Sequence, residues 1–386
     1  MSERRRAAAS LSVVVAPDSF KGSLGAAGVA AAIAAGWSSV RPGDTIRLLP
    51  QADGGEGTLE TIEAAVPGSV RHEIGPVTGP DGRPTPGVWL ELPDGTAVVE
   101  LAQMSGLPLM DRPDPLGATT FGLGEVIRSA VTAGVRRLLV GLGGSASTDG
   151  GAGALAALGL RLADGSDLPP GGAALADLTG LDRSGLLAPP PDGVVLLTDV
   201  SAPLLGPGGA AAVFAPQKGA DRAQVGLLEA ALARFATLLG DGASIPGSGA
   251  AGGAGYGFLA AWGARVEPGA GYLATITGLD EAIVSSDLLL TGEGRFDATS
   301  TGGKLVGELI RMAGDRHVRL GLVAGQIAAR PVAPDGTEPW SVALSDLAGS
   351  VDSAVGEPAR WLFEAGRRAA RELPRDAQAA VPKMGT

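Results

Sequence analysis

Apolar residues fall along this chain in two textures. In the first, short Val- and Leu-rich runs alternate with stretches of helical spacing. Ser12–Ala16 predicts a buried strand, stopped by Pro17-Asp18. Val29, Ile33 and Trp37 recur at i, i+4 and i+8, one face of a helix, with Ser23 as its expected N-cap. Thr45–Pro50 predicts a second strand and Leu59–Ala65 a second helix. Strand–loop–helix, repeated at once, opens a parallel βαβ sheet.

From Val66 the texture changes. Arg71–Ile74, Gly87–Leu92 and Thr96–Leu101 are short alternating segments, and Pro93-Asp-Gly95 is a hairpin signal. Antiparallel strands are predicted here. A helix follows at Thr120–Ala133, with Gly134 as its stop, then a strand at Arg137–Val140 and a helix at Ala154–Leu158. Val194–Thr198 predicts a strand. Ala223–Leu239 predicts a helix with Val225, Leu228, Leu232, Phe235 and Leu239 on its apolar face. The first texture returns with a strand at Ile283–Thr291, a loop at Gly292–Asp297, a helix from Lys304 to Ala313 and a strand at Leu320–Ala324. Ser350–Arg371 predicts one terminal helix kinked at Pro358. The expected fold class is α/β in two domains. Residues 1–65 and 285–386 form a discontinuous, doubly wound, Rossmann-like parallel sheet, and 66–284 a mixed α/β domain inserted in it.

Composition narrows the function. The 386 residues carry a net charge of −11, and aromatics are 4%. A phosphate-tracking nucleic-acid surface or a base-stacking platform is therefore not expected. With no cysteine, disulfides, zinc–thiolate sites and Cys nucleophiles are excluded. Only His72 and His317 could serve a polyhistidine site or a serine triad, and neither sits in a motif-like loop. No apolar run has membrane-spanning length, and a soluble cytoplasmic protein is expected. Homo-oligomerisation is left open.

Of the 30 Lys and Arg residues only four are lysines, and three of these stand in motif-like loops: Lys21, Lys218 and Lys304. Lysine is a compact point charge suited to a phosphate oxygen. Six loops carry glycines or carboxylates: Asp18–Ser23, Asp53–Thr58, Gly143–Gly153, Asp199–Gly209, Ser248–Gly257 and Gly292–Lys304. Glycine lets amides approach phosphate oxygens, and Asp or Glu nearby could hold Mg²⁺. These are the parts phosphoryl transfer needs. Standard motifs fail: no Walker A loop and no G-x-S-x-G elbow occur. Gly247-Ser-Gly249-Ala-Ala-Gly252 fits the dinucleotide letters without following a clear strand.

Ala16-Pro-Asp-Ser-Phe-Lys-Gly-Ser-Leu24, Ala52-Asp-Gly-Gly-Glu-Gly-Thr58, Gly144-Ser-Ala-Ser-Thr-Asp-Gly-Gly-Ala-Gly153, Phe214-Ala-Pro-Gln-Lys-Gly-Ala220 and Thr291-Gly-Glu-Gly-Arg-Phe-Asp297 resemble the type I glycerate kinase family. The resemblance runs in order from about residue 12 to 325. It implies ATP-dependent phosphorylation of D-glycerate, 2-phosphoglycerate being favoured over 3-phosphoglycerate, in a cleft between two α/β domains. The chain departs from the family pattern at Thr148 and at Ala202, where Asn is usual, and near Thr299, where Gln is usual.

On this reading Lys21 and Lys304 neutralise phosphate or carboxylate charge, and either Asp18 or Asp53 takes the hydroxyl proton. The amides of Gly143, Gly144, Gly150 and Gly151, with Ser145, Ser147, Asp149 and Lys218, hold ATP. Glu293 and Asp297 are the metal candidates. Two other readings stay open: a Rossmann-type hydroxy-acid oxidoreductase, and a non-catalytic two-domain metabolite-binding protein.

Overall fold

The structure is a computed structural model that describes residues 10–20, 22–300, 305–333 and 335–373. Its strands are β1 (Ser12–Val15), β2 (Thr45–Leu48), β3 (Val70–Thr78), β4 (Pro84–Glu91), β5 (Thr96–Glu100), β6 (Arg137–Gly141) and β7 (Arg161–Leu162). They continue with β8 (Leu181–Asp182), β9 (Val194–Leu197), β10 (Arg265–Glu267), β11 (Leu288–Phe296), β12 (Arg319–Ile327) and β13 (Trp340–Ala343). The first five helices are α1 (Ala26–Val40), α2 (Thr58–Ala65), α3 (Leu101–Ser105), α4 (Phe121–Thr132) and α5 (Ala152–Ala157). The chain is an α/β fold that separates into two compact units. One takes the described residues up to Ala52 and from Leu273, the other Asp53–Tyr272. No helix among the described residues is long and apolar enough to cross a membrane.

The first unit holds a five-stranded, all-parallel sheet in the order β13-β12-β11-β1-β2. Val13 and Val15 join a core with Ile33 and Trp37 of α1 and Leu362 and Ala369 of the C-terminal helix Pro358–Glu372, while Val14 on the other face is also buried. Burial on both faces is why the strand reads as a continuous apolar run. α1 and the C-terminal helix cross where Gly36 meets the Phe363 carbonyl and Gly366 meets that of Ile33, each too close to admit a Cβ.

The second unit holds a six-stranded mixed sheet in the order β10-β9-β6-β5-β4-β3. β10, β9, β6 and β5 run parallel, and β4 and β3 are added antiparallel through the turn at Pro93–Gly95. β7 and β8 form a separate pair. The expected antiparallel segment is therefore present, fused to a parallel one.

Four local expectations are corrected. Gly292–Phe296, expected as a loop, is strand: Glu293 pairs with Ala324 and Arg295 with Gln326. β12 supplies the hydrogen bonds that hold a glycine-rich run extended, a tertiary influence that propensity does not register. The strand expected to begin at Ile283 starts at Leu288, because Leu279–Val284 is helical. Ser23 is not the N-cap of α1. Its hydroxyl donates to the Phe20 carbonyl at 2.9 Å, and Gly25 precedes the helix without a side-chain cap. The terminal helix is two helices, Val351–Gly356 and Pro358–Glu372, broken at Glu357 (φ −132°, ψ 54°). A residue before proline is pushed out of the helical region, and proline itself suits a first turn.

Gly36→Val is expected to destabilise the protein by about 2–3 kcal/mol, the usual cost of overpacking a closed contact. A urea melt checks this, and a loss below about 0.5 kcal/mol would contradict the helix crossing.

Candidate functional site

In the second unit a cavity of about 570 Å³ opens where β5, β6 and β9 end. Glu100, the last residue of β5, pairs with Gly141, the last of β6, which in turn pairs with Leu197, the last of β9. Residues at or just beyond these ends line the cavity: Glu100, Leu142, Gly143 and Thr198. This is the carboxyl edge of the parallel segment, where open α/β sheets bind ligands. Leu107, Leu109, Val200 and Phe214 add apolar wall.

Two of the glycine motifs meet at this edge. The Gly143 amide donates to the Gly54 carbonyl at 3.2 Å, and a Cβ on Gly143 would strike the Gly55 Cα. Asp53 caps its own turn, its Oδ1 accepting from the Gly55 amide at 3.0 Å. On the other side residues 143–146 pair with 105–107: Leu107 N donates to the Gly144 carbonyl at 2.9 Å, and Ala146 N to the Ser105 carbonyl at 3.0 Å. The glycines therefore let one turn lie on another, backbone against backbone.

The Gly143–Gly153 segment divides in two. Gly143, Gly144 and Ser145 line the cavity, as does Lys218. Ser147, Asp149, Gly150 and Gly151 are buried and are not part of that lining. Asp149 Oδ2 accepts from the Thr120 amide and hydroxyl, both at 2.8 Å, and Oδ1 from the Gly151 amide at 3.1 Å. These bonds tie the start of α4 to the start of α5. Gly150 packs on Phe235 and Leu232, and Gly151 precedes α5 in the left-handed region. Thr148, at one of the family-variant positions, is fully buried, and its Oγ1 has no hydrogen-bond partner among the described residues.

Lys218 is 2% exposed. Its ammonium donates to Ser145 Oγ at 2.8 Å and to the Ser147 carbonyl, both neutral oxygens. Burial pulls its pKa down to about 7, against a partial upward pull from the Asp149 charge. The short helical turn Pro216–Lys218 places it, ending at Gly219 in the left-handed region.

Glu100 was not singled out by sequence reasoning. It is fully buried and makes no ion pair among the described residues. Oε1 accepts from the Gly57 amide at 3.2 Å and from Gln103 Nε2 at 3.2 Å, and Oε2 from the Leu59 amide at 3.0 Å. Burial raises its pKa to about 7. A single acid ending the Val-rich run Thr96–Glu100 was the available signal. Glu56, within the Asp53–Thr58 motif, also lines the cavity.

The remaining candidates lie in the first unit. Asp18 follows β1, its amide donating to the Gly292 carbonyl at 2.8 Å, so it neighbours Glu293 across the sheet's carboxyl edge. Asp18 Oδ1 accepts from the Ser19 amide at 2.6 Å. Lys21 and Lys304 lie outside the described residues. Glu293 and Arg295 lie near the end of β11, and Asp297 follows its final residue, Phe296. Asp297 Oδ1 accepts from the Thr299 amide and hydroxyl, and Oδ2 lies 3.6 Å from Arg295 Nε. Among the described residues no group of three or more His, Asp or Glu is arranged to hold a metal ion. The Gly247–Gly252 letters fall after the helix Arg222–Leu239, in a turn where Ala251 itself has φ +54°, and no strand leads into them. That setting differs from a dinucleotide fingerprint.

Lys218→Met is expected to leave Tm unchanged or higher at pH 7, because an ammonium buried among neutral oxygens costs stability. The folded pKa lies below the unfolded value, so that cost is full at and below pH 7 and fades as pH rises toward 10. Thermal melts across this range should show the difference between variant and wild type narrowing with pH. A variant clearly less stable at pH 7 would contradict the account.

The glycerate kinase family profile matches residues 13–374. A glycerate kinase of Bacillus subtilis (strain 168) is 41% identical over 329 residues, spanning 82% of this chain and 86% of that protein. A glycerate 2-kinase of Escherichia coli (strain K12) is 39% identical over 328 residues, with the same coverage. A crystal structure from Salmonella typhimurium LT2, described as a candidate glycerate kinase 2, superposes with a TM-score of 0.76 at 33% identity, covering 96% of this chain and all of that one. With a match over almost its full length and relatives at this level of identity, the chain belongs to the glycerate kinase family.

Proposed function

We propose that this protein transfers the γ-phosphoryl group of ATP to D-glycerate, giving ADP and 2-phosphoglycerate. The glycerate hydroxyl oxygen attacks the γ-phosphorus in line, the bond from that phosphorus to the β–γ bridging oxygen breaks, and the hydroxyl proton passes to Asp18 or Asp53. The observation that carries this reading is Lys218. Its ammonium is buried and held by neutral oxygens, and the residue lines a cavity in the size range of a nucleotide and several times larger than a three-carbon acid. A ligand phosphate would supply the negative charge this ammonium lacks. In this reading the nucleotide takes the cavity of the second unit. Gly143, Gly144, Ser145 and Lys218 face its phosphates, and Ser147, Asp149, Gly150 and Gly151 shape the loop from behind. Lys21 and Lys304 are proposed to neutralise further charge on phosphate or on the glycerate carboxylate.

Magnesium would enter as the partner of ATP, screening its phosphate charge. Mg²⁺ needs only one or two protein carboxylates beside phosphate and water. Glu293 fits that role. Asp297 fits it once its Oδ2 exchanges Arg295 for the ion.

Phosphorus NMR on a mixture of protein, ATP, Mg²⁺ and D-glycerate tests the reaction. Accumulation of ADP with 2-phosphoglycerate is expected. Unchanged ATP would refute the activity, and 3-phosphoglycerate would refute the position of transfer. Lys218→Met is expected to raise the KM for ATP at least tenfold, and Lys218→Arg to restore little, since a planar guanidinium does not reproduce the point-charge geometry of the ammonium between Ser145 Oγ and the Ser147 carbonyl. An unchanged KM in the Met variant would remove Lys218 from the nucleotide site.

A further inference from the structure

The Asp53–Thr58 turn forms part of the cavity wall, and something must fix it there. Its glycines leave the turn soft, and α2 behind it is a helix of eight residues with no side-chain N-cap of its own. Glu100 fills that gap from a different strand. Its two oxygens take the amides of Gly57 and Leu59, one on each side of Thr58, and the same turn carries Glu56 into the cavity lining. The turn is also pinned by the Gly143–Gly54 hydrogen bond, so its position fixes that of the Gly143–Ser145 loop.

We propose that Glu100 is a positioning residue for the reaction, its ionised carboxylate clamping the Asp53–Thr58 turn in the form that completes the nucleotide cavity. The proposal rests on the reading of that cavity as the ATP site. The clamp needs both oxygens as acceptors. A proton on Glu100 turns one of them into a donor, and one of the two amides loses its partner. The charged groups around it are few. Glu60 on α2 opposes its ionisation, and Glu56 on the preceding turn and Lys218 share the cavity. Gln103 on α3 favours ionisation by donating to Oε1. Burial outweighs the accepted bonds and brings the proton equilibrium to about pH 7. Opening and closing of the clamp therefore falls at neutral pH.

The test compares wild type, Glu100→Gln and Gln103→Leu, by kcat/KM for ATP from pH 5.5 to 9 and by amide hydrogen exchange at residues 57–59. Wild type is expected to lose activity on the acid side with a midpoint near pH 7. Glu100→Gln, whose amide offers one acceptor oxygen where the carboxylate offers two, is expected to lack that acid limb and to sit about tenfold below wild type at pH 8. Its amides at 57–59 should exchange at least tenfold faster. Gln103→Leu, which removes a bond favouring the carboxylate, is expected to move the limb to higher pH. An acid limb retained in Glu100→Gln, activity within twofold of wild type at pH 8, or unchanged exchange at 57–59 would each overturn the proposal. If wild type makes no phosphoglycerate, the proposed reaction fails instead, and the exchange data still decide whether the clamp exists.

Discussion

The candidate site depends on one contact with no side chain in it. The turn at Gly54–Gly55 lies on Gly143 closely enough that a single methyl group would drive them apart. From that contact follow the positions of Ser145 on one loop and Glu56 on the other, because each turn is short and fixed at its far end. A cavity built this way presents amides and carbonyls as walls. It is rigid without bulk, since backbones packed in register have few alternative arrangements.

The apolar framework was legible because burial on two faces leaves a mark in one dimension. Val13–Val15 and Val194–Leu197 could be read as strands from their continuous apolar character, and Val29, Ile33 and Trp37 as a helix face from their period. Glycine was the ambiguous letter. The sequence makes Gly292–Phe296 look like a turn, but it is a strand whose hydrogen bonds come from β12, a partner more than twenty residues away. In the Gly143–Gly153 segment the letters alone could not separate the residues that face the cavity from those that hold the loop. Asp149 reads as a ligand because an acid amid glycines often is, and in the fold it holds backbone. One of its partners, the Gly151 amide, is two residues on, but another, Thr120, lies at a distance in sequence that no local motif records. Glu100 was faint for the opposite reason: a lone acid ending a Val-rich run was its one signal, and its significance arises only when α2 folds back above β5.

Lys218 and Glu100 share an unusual condition. Each is buried, each lacks an oppositely charged partner in contact, and each therefore titrates near neutrality. A fold selected for stability alone would replace both with neutral residues, since burying an unpaired charge costs free energy that packing must offset. Retaining them makes sense where a ligand completes the charge balance. Their requirements run in opposite directions. In the proposed roles Lys218 serves an anion when protonated, and Glu100 holds the turn when ionised. On those roles the two groups limit the cavity from opposite sides of the pH range without being in contact. A bell-shaped dependence from such a pair reports the readiness of the binding site and says nothing about the group that accepts the hydroxyl proton. The choice between the two proposed acceptors, Asp18 and Asp53, is thus a question for substitution kinetics at fixed pH, where the states of Lys218 and Glu100 do not change between variants.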